Sequence, residues 1–381
     1  MNLKLKRWAA RGGLLFVLAC APLTIIPARA AGRDSACMPK FGLERGQPFG
    51  WEGGDAAYSI PLPDGRDVWI FGDTLWGPER VLIDKNPRMV HNSIGISTCD
   101  AQGHFHLKFV IRRDASGKPQ HFFTAQNPQT WYWALDGFVS GRDLWVTLLC
   151  VRDAPAQSWA LAFATCGTDL ARVEYAGADP QKWKIDYFPL VPDGTHAYPS
   201  ATAVVWGANA YIFALDEKGP RPLVATRIPL AGLGDPKAHL EYLAASGTWE
   251  KGFDPAAAQH VMEPGMTELS IRYHPELNKW LAVMFDPAAF SSKIVLRTAP
   301  SLTGPWTEGQ VIYQVPEMQP GNPDYDKDTF CYAAKEHPEF ERGDLVFTYV
   351  CITMAVEKLP KELNLYFPQV VRMPMPPLNG Q

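Results

Sequence analysis

One pattern returns five times along this 381-residue chain: an acidic or polar residue, an alternating apolar strand, a tight turn and a second strand rich in aromatics. The copies are residues 55–74 (DAAYSIPLPDGRDVWIFGDT), 131–150 (WYWALDGFVSGRDLWVTLLC), 198–216 (YPSATAVVWGANAYIFALD), 268–286 (ELSIRYHPELNKWLAVMFD) and 329–351 (TFCYAAKEHPEFERGDLVFTYVC). Each reads as an antiparallel hairpin, because side chains alternate with period two on either side of a turn signal. The hairpins start 60 to 80 residues apart, room for four antiparallel strands each. A unit that recurs at that interval and cannot bury both of its faces alone predicts radial packing. The expected fold is all-β, a five-bladed β-propeller. No stretch sustains a helical period and no linker interrupts the mature chain, so residues 31–381 are expected to form a single domain. Short helical insertions are expected only within residues 230–245, on a loop between blades.

The N-terminus points to export. Lys4, Lys6, Arg7 and Arg11 precede an apolar run over residues 12–26, and Ala28-Arg29-Ala30 is a small-x-small cleavage signal. Residues 1–30 therefore read as a signal peptide, and the mature protein is expected to be secreted or periplasmic. Pro22 and Pro27 break the run, and no second apolar stretch reaches membrane length, so no membrane span is expected. A lipid anchor on Cys20 is the lesser alternative, since Leu18 is bulky for that motif. Cleavage removes five basic residues and no acidic one, which moves the formal charge from −4 to −9 (31 basic against 40 acidic). That balance argues against nucleic acid as a partner, because phosphate binding would work against the protein's own field.

Loss of Cys20 leaves six of the seven cysteines. An even number in an oxidising compartment favours disulfides. Cys331 and Cys351 flank one turn symmetrically and are expected to face each other across a hairpin. Cys150 and Cys166 end consecutive strands of the second repeat, which leaves Cys37 with Cys99. No CxxC or HExxH pattern occurs, so no metal or cofactor is called for by a motif, though His196 offers an axial ion one ligand.

Acidic residues recur where the start of the first strand and the end of the second meet on one rim of such a fold. Asp55 and Asp73 hold these places in the first repeat, and Glu268 and Asp286 in the fourth. Asp216 closes the third repeat's second strand, and Asp136 lies inside the first strand of the second. Converging carboxylates whose pKa values are driven apart can divide acid and base roles, the arrangement glycosidases use. Asp55 and Glu268 are the expected catalytic pair, with Asp136 and Asp73 orienting substrate. Asp216 and Asp286 are read as satisfying turn amides. Trp76, Trp133 and Tyr198 are placed to stack on a sugar ring, and His91, Asn92, His196 and Lys335 to bond its hydroxyls. Trp69, Trp145, Tyr211, Trp280 and Phe347 share a second-strand position and are read as core.

The phrases WIFGDTLW (residues 69–76), HNS (91–93), WYW (131–133) with the following Asp136-Gly137, and YAAKEHP (332–338) resemble a family of secreted bacterial five-bladed propellers associated with endo-D-arabinanase activity. LRTAPSLTGPW (296–306) is more distantly similar to the outer-strand phrase of arabinanase, β-xylosidase and invertase propellers. The resemblance implies a base at Asp55, a tuning aspartate at Asp136 and a glutamate acid. In the arabinanase pattern that glutamate comes from the third blade, whereas here that blade begins Tyr198-Pro199-Ser200 and the matching residue is Glu268 in the fourth. The expected function is a glycoside hydrolase cleaving arabinofuranosyl linkages in a polysaccharide or glycan, with Asp55 as base and Glu268 as acid. The alternative is a non-catalytic carbohydrate-binding or envelope-scaffold propeller.

Overall fold

The computed structural model describes residues 37–77, 80, 89–155, 162–174, 177 and 179–378. The signal-peptide reading falls on residues 1–30, outside the described residues.

Among the described residues there is no α-helix, and five sheets arranged as a ring form a five-bladed β-propeller. Blade one contains β1 (Trp51–Pro61), β2 (Asp67–Trp76), a two-residue β3 (Met89–Val90), β4 (Ser93–Cys99) and β5 (Phe105–Val110). A ribbon of β6 (Arg112–Arg113) and β7 (Pro119–Gln120) leads to blade two: β8 (Thr130–Ser140), β9 (Asp143–Asp153), β10 (Phe163–Val173) and β11 (Ile185–Pro192). Blade three has β12 (Ala197–Trp206), β13 (Asn209–Asp216) and β14 (Leu223–Pro229), extended by β15 (Glu241–Leu243), β16 (Trp249–Lys251) and β17 (His260–Met262). Blade four is β18 (Ser270–His274), β19 (Lys279–Phe285), β20 (Lys293–Ala299) and β21 (Gln310–Gln314). Blade five has only β22 (Thr329–Glu336), β23 (Asp344–Thr353) and β24 (Gln369–Pro374). The insertion expected to be helical is instead a three-residue 3-10 turn (Leu230–Gly232) followed by β15, because Tyr242 and Leu243 bury themselves by prolonging sheet three.

The core lies between neighbouring sheets. Ile60, Val68 and Ile94 of blade one pack with Phe138, Trp145 and Leu148 of blade two, and similar clusters fill the other junctions. Trp69, Trp145, Trp280 and Phe347 are all buried, as their common register predicts, while Tyr211 is half-buried. Each such side chain contributes about 1.5–3 kcal/mol by leaving water. Gly137 permits the close approach of blades one and two: a Cβ there would lie 2.3 Å from the Trp145 carbonyl and 2.7 Å from Ile60 Cδ1.

Among the described residues no strand pairs across the terminal blades. β24 pairs with β23 in its own sheet, and the described N-terminal residues lie along blade one through Glu44 N–H to Trp51 O (2.7 Å) and Gly77 N–H to Gly50 O (2.7 Å). Blades one and five are joined by packing of Trp69 and Phe71 with Phe340 and Val346, and by polar contacts. The buried Arg80 donates to the carbonyls of Glu52, Leu359, Glu362 and Leu365, and Gly54 N–H reaches Tyr366 O at 3.0 Å. A guanidinium with five donors gathers carbonyls that no strand partner satisfies.

Three disulfides form: Cys37–Cys99, Cys150–Cys166 and Cys331–Cys351, the last at directly paired positions of β22 and β23. Cys150 and Cys166 were expected to end their strands; they lie inside β9 and β10. Among the described residues, no helix is long and apolar enough to cross a membrane.

Candidate active site

Three carboxylates meet around one end of the axis. Asp55 projects from β1, Asp73 from the facing β2, and Glu268 from the turn just before β18. Asp55 is aimed by a distortion. The β1–β2 register shifts at Gly54/Ala56 and again at Ala56/Tyr58, and both Ala56 and Ala57 have φ near +63°. Left-handed alanines cost of order 1 kcal/mol or more each and persist where surrounding packing imposes them, commonly beside functional groups. Opposite, Gly72 leaves space for the carboxyl, since a Cβ there would lie 2.4 Å from Asp55 Oδ1.

Blade five repeats the device. Tyr332-Ala333-Ala334-Lys335 mirrors Asp55-Ala56-Ala57-Tyr58, with Ala333 at φ +62° and a register shift between Tyr332 and Lys335. The matching positions touch across the blade junction. Tyr332 donates its hydroxyl to Asp55 Oδ2 at 2.7 Å, and the Lys335 ammonium lies 4.0 Å from the centre of the Tyr58 ring. Lys335 also donates to Ala56 O and, at 3.1 Å, to Glu268 Oε1.

These contacts sort the carboxylates. Burial, then the negative charges of Asp73 and Glu268, raise the Asp55 carboxyl well above the usual aspartate range, against smaller opposing effects of Tyr332 and Lys335. Burial, then the neighbouring Asp55 charge, likewise raises the Tyr332 phenol, so that it remains a donor. Burial lowers Lys335 from the ordinary lysine range while Glu268 pulls it back up. Asp73 is held by His91 Nδ1 at 2.8 Å and by the Trp133 indole N–H at 3.2 Å. His91 stacks on Trp131 (4.4 Å between centroids) and on His121 (5.2 Å), whose Nδ1 accepts the His91 backbone N–H at 2.9 Å. Burial, then His91, takes His121 down to about 4, so it stays neutral at neutral pH and able to accept.

Of the residues expected from sequence, Asp55, Asp73, Glu268, Lys335, His91 and Trp133 come together here. Lys335 is only 1% exposed, so it supports Glu268 and the β1 backbone and does not reach a sugar hydroxyl. Five others are corrected. Asp136 has no exposed surface, and its carboxylate accepts from Gly137 N–H, Thr202 Oγ1, Ala203 N–H and the Arg272 guanidinium (2.7–3.2 Å), joining blades two, three and four beneath the site. Trp76 is core, packed with Phe41 and Trp51 at 2% exposure. Asn92 is buried, its amide bonded to Phe123 N–H and O and to Tyr132 O. Tyr198 is buried and donates to Thr195 O at 3.0 Å. His196 pairs with Asp216 at 2.6 Å on the rim of its own blade. Asp216 and Asp286 accept turn amides, as expected.

His121 and Arg272 were not singled out by sequence, and Trp131 and Tyr332 stood only within the family-like phrases, with no site role. The repeated Ala-Ala, flanked on both sides by polar or aromatic residues, is the signal by which Tyr332 was findable.

Fold and site together define a five-bladed propeller with a carboxylate centre at one end of its axis. The chain belongs to the family described as a domain of unknown function, DUF5005, whose profile matches residues 43–371. No curated protein matches it in sequence. Among solved structures it is similar to a candidate hydrolase from Bacteroides ovatus ATCC 8483, with 17% identity over 86% of each chain and a TM-score of 0.65. Weaker likenesses include the GH43_1 enzyme from Xanthomonas citri complexed with xylotriose (11% identity, 84% of this chain and 86% of that one, TM-score 0.46). Another is the α-L-arabinofuranosidase from Podospora anserina in complex with cellotriose (11%, 84% and 88%, 0.42).

Proposed function

We propose that this chain is an exported glycoside hydrolase that cleaves arabinofuranosyl linkages in a polysaccharide or glycan, with residues 1–30 as its signal peptide and residues 31–381 as one catalytic domain. The observation that carries the reading is the unequal treatment of neighbouring carboxyls. Asp55 is driven toward its protonated form, while Glu268 has a buried ammonium 3.1 Å away. A carboxyl kept protonated by its surroundings can serve as the acid, and a neighbouring carboxylate paired with an ammonium as the base. The roles are the reverse of those the family resemblance implies. Asp55, hydrogen-bonded by Tyr332, gives its proton to the leaving-group oxygen, and Glu268 takes a proton from the incoming water. Asp73, fixed by His91 and Trp133, orients the sugar hydroxyls. Trp133 and the Trp131–His91 stack supply the apolar wall a sugar face needs.

The test is incubation of the mature protein with a panel of arabinans and related polysaccharides, with product analysis and pH–rate profiles for wild type, Asp55→Asn and Glu268→Gln. Each substitution is expected to lower turnover at least about a hundredfold. Activity of the wild type is expected to fall as pH rises through the Asp55 titration, because the acid is then lost. Binding of a polysaccharide without any product from the wild type would replace hydrolase by carbohydrate-binding propeller.

A further inference from the structure

A second polar cluster lies at the junction of blades four and five, outside the machinery above. His274 ends β18, Glu336 ends β22, and Glu341 sits in the turn between β22 and β23. All three are buried, at 2%, 2% and 6% exposure. One ligand atom from each lies within 4.8 Å of the other two. His274 Nε2 is 2.5 Å from Glu336 Oε1, while Glu336 Oε2 is buried with no hydrogen-bond partner. A buried carboxylate oxygen so placed calls for a proton or a cation as its partner.

We propose that His274, Glu336 and Glu341 bind a divalent transition-series cation, of which Zn2+ and Mn2+ suit an imidazole and two carboxylates. The donors are held ready. Glu336 N–H donates to Ser270 Oγ at 2.8 Å, fixing the strand end, and Glu341 Oε1 accepts Val346 N–H at 3.2 Å. The far nitrogen of His274, Nδ1, lies 3.1 Å from Glu276 Oε1. A carboxylate behind a ligating imidazole is the usual outer partner at metal sites, fixing the tautomer and strengthening the donor. Glu276 has a side chain 57% exposed, so the cluster lies close beneath solvent. Once His274 has released its proton, two carboxylates and a neutral imidazole carry the charge that one divalent ion cancels. Ligands of one tetrahedral ion stand about 3.3 Å apart at metal–ligand distances near 2.0 Å, so binding opens the His274–Glu336 contact by under about 1 Å. In the metal-free cluster a proton shared between Glu336 and Glu341 takes the place the cation would fill. The cation ties blade four to the three-stranded blade five, independently of any turnover at the carboxylate centre.

The experiment uses the mature protein without a histidine tag. After chelator treatment and exhaustive dialysis it is titrated with Zn2+ or Mn2+, with bound metal measured by mass spectrometry and the melting midpoint followed in parallel. One equivalent per chain and a midpoint raised by several degrees are expected. Glu341→Gln is expected to abolish both effects. The exposed Glu276→Gln, which leaves the buried donors in place, is expected to weaken binding about tenfold. Less than about 0.2 equivalent taken up by wild type, or equal uptake by wild type and both variants, overturns the proposal and leaves the cluster as a proton-sharing pair of glutamates.

Discussion

Replacing Asp136 with asparagine separates a blade-joining role from a substrate-orienting one. The wild-type carboxylate receives two backbone N–H groups, one hydroxyl and a guanidinium, all donors, in a place with no exposed surface. Asparagine keeps the shape, but whichever way the amide turns, its NH2 faces donors, and Arg272 loses its bonded carboxylate, keeping only the charges of Glu339 and Glu336, which do not bond it. Removing one member of a buried pair costs about 3–5 kcal/mol. Arg272 keeps its bonds to Ile271 O (3.0 Å) and Ala203 O (3.3 Å), and its side chain is 17% exposed, so the low end, about 3 kcal/mol, applies. With an unfolding entropy of about 2.1 cal/mol/K per residue, a domain of this length has about 0.7 kcal/mol/K, and the melting midpoint falls by about 4 °C. Calorimetry at neutral pH measures this. The double variant Asp136→Asn/Arg272→Met is expected to recover part of the loss, since both ends of the pair are then neutral. An Asp136→Asn protein that melts with the wild type yet loses turnover would refute the reasoning and return Asp136 to the substrate.

The remaining predictions concern Asp55, its neighbour and the disulfides. The folded-state pKa of Asp55 is raised, so its burial destabilises the protein increasingly as pH climbs above the ordinary aspartate value; Asp55→Asn should be no more stable than wild type near pH 4 and more stable at pH 8, as pH-dependent melting will show. Gly72→Ala should cut turnover sharply with a smaller change in melting temperature, because the new methyl takes the place of Asp55 Oδ1; unchanged turnover would mean that Asp55 needs no such placement. Non-reducing peptide mapping should recover Cys37–Cys99, Cys150–Cys166 and Cys331–Cys351. Replacing the Cys331–Cys351 pair with alanines, which frees a 20-residue span, should cost about 3 kcal/mol in denaturant unfolding.

The five hairpins were legible because strand alternation and turn chemistry are local. Five copies of one pattern leave little choice but a ring; Cys331–Cys351 followed from counting outward from a turn, Cys150–Cys166 from consecutive strands, and Cys37–Cys99 as the pair that remained. The three carboxylates Asp55, Asp73 and Glu268 were legible because they recur at matching places in the repeats, although Asp55 and Asp73 lie inside β1 and β2 and not at the strand ends expected. What each one does was not. Asp136 and Asp55 look alike in sequence, each beside small residues in the first strand of its blade, but Arg272 from blade four neutralises the one and no arginine reaches the other. Trp76 and Trp133 likewise lie outside the core register, and one is buried against Trp51 while the other reaches Asp73. Tyr332 on Asp55 and Lys335 on Glu268 span 277 and 67 residues of chain. A strand pattern specifies which face a side chain takes within its own blade. Its charge state and its partners come from the neighbouring blades, and only the closed ring brings those within reach.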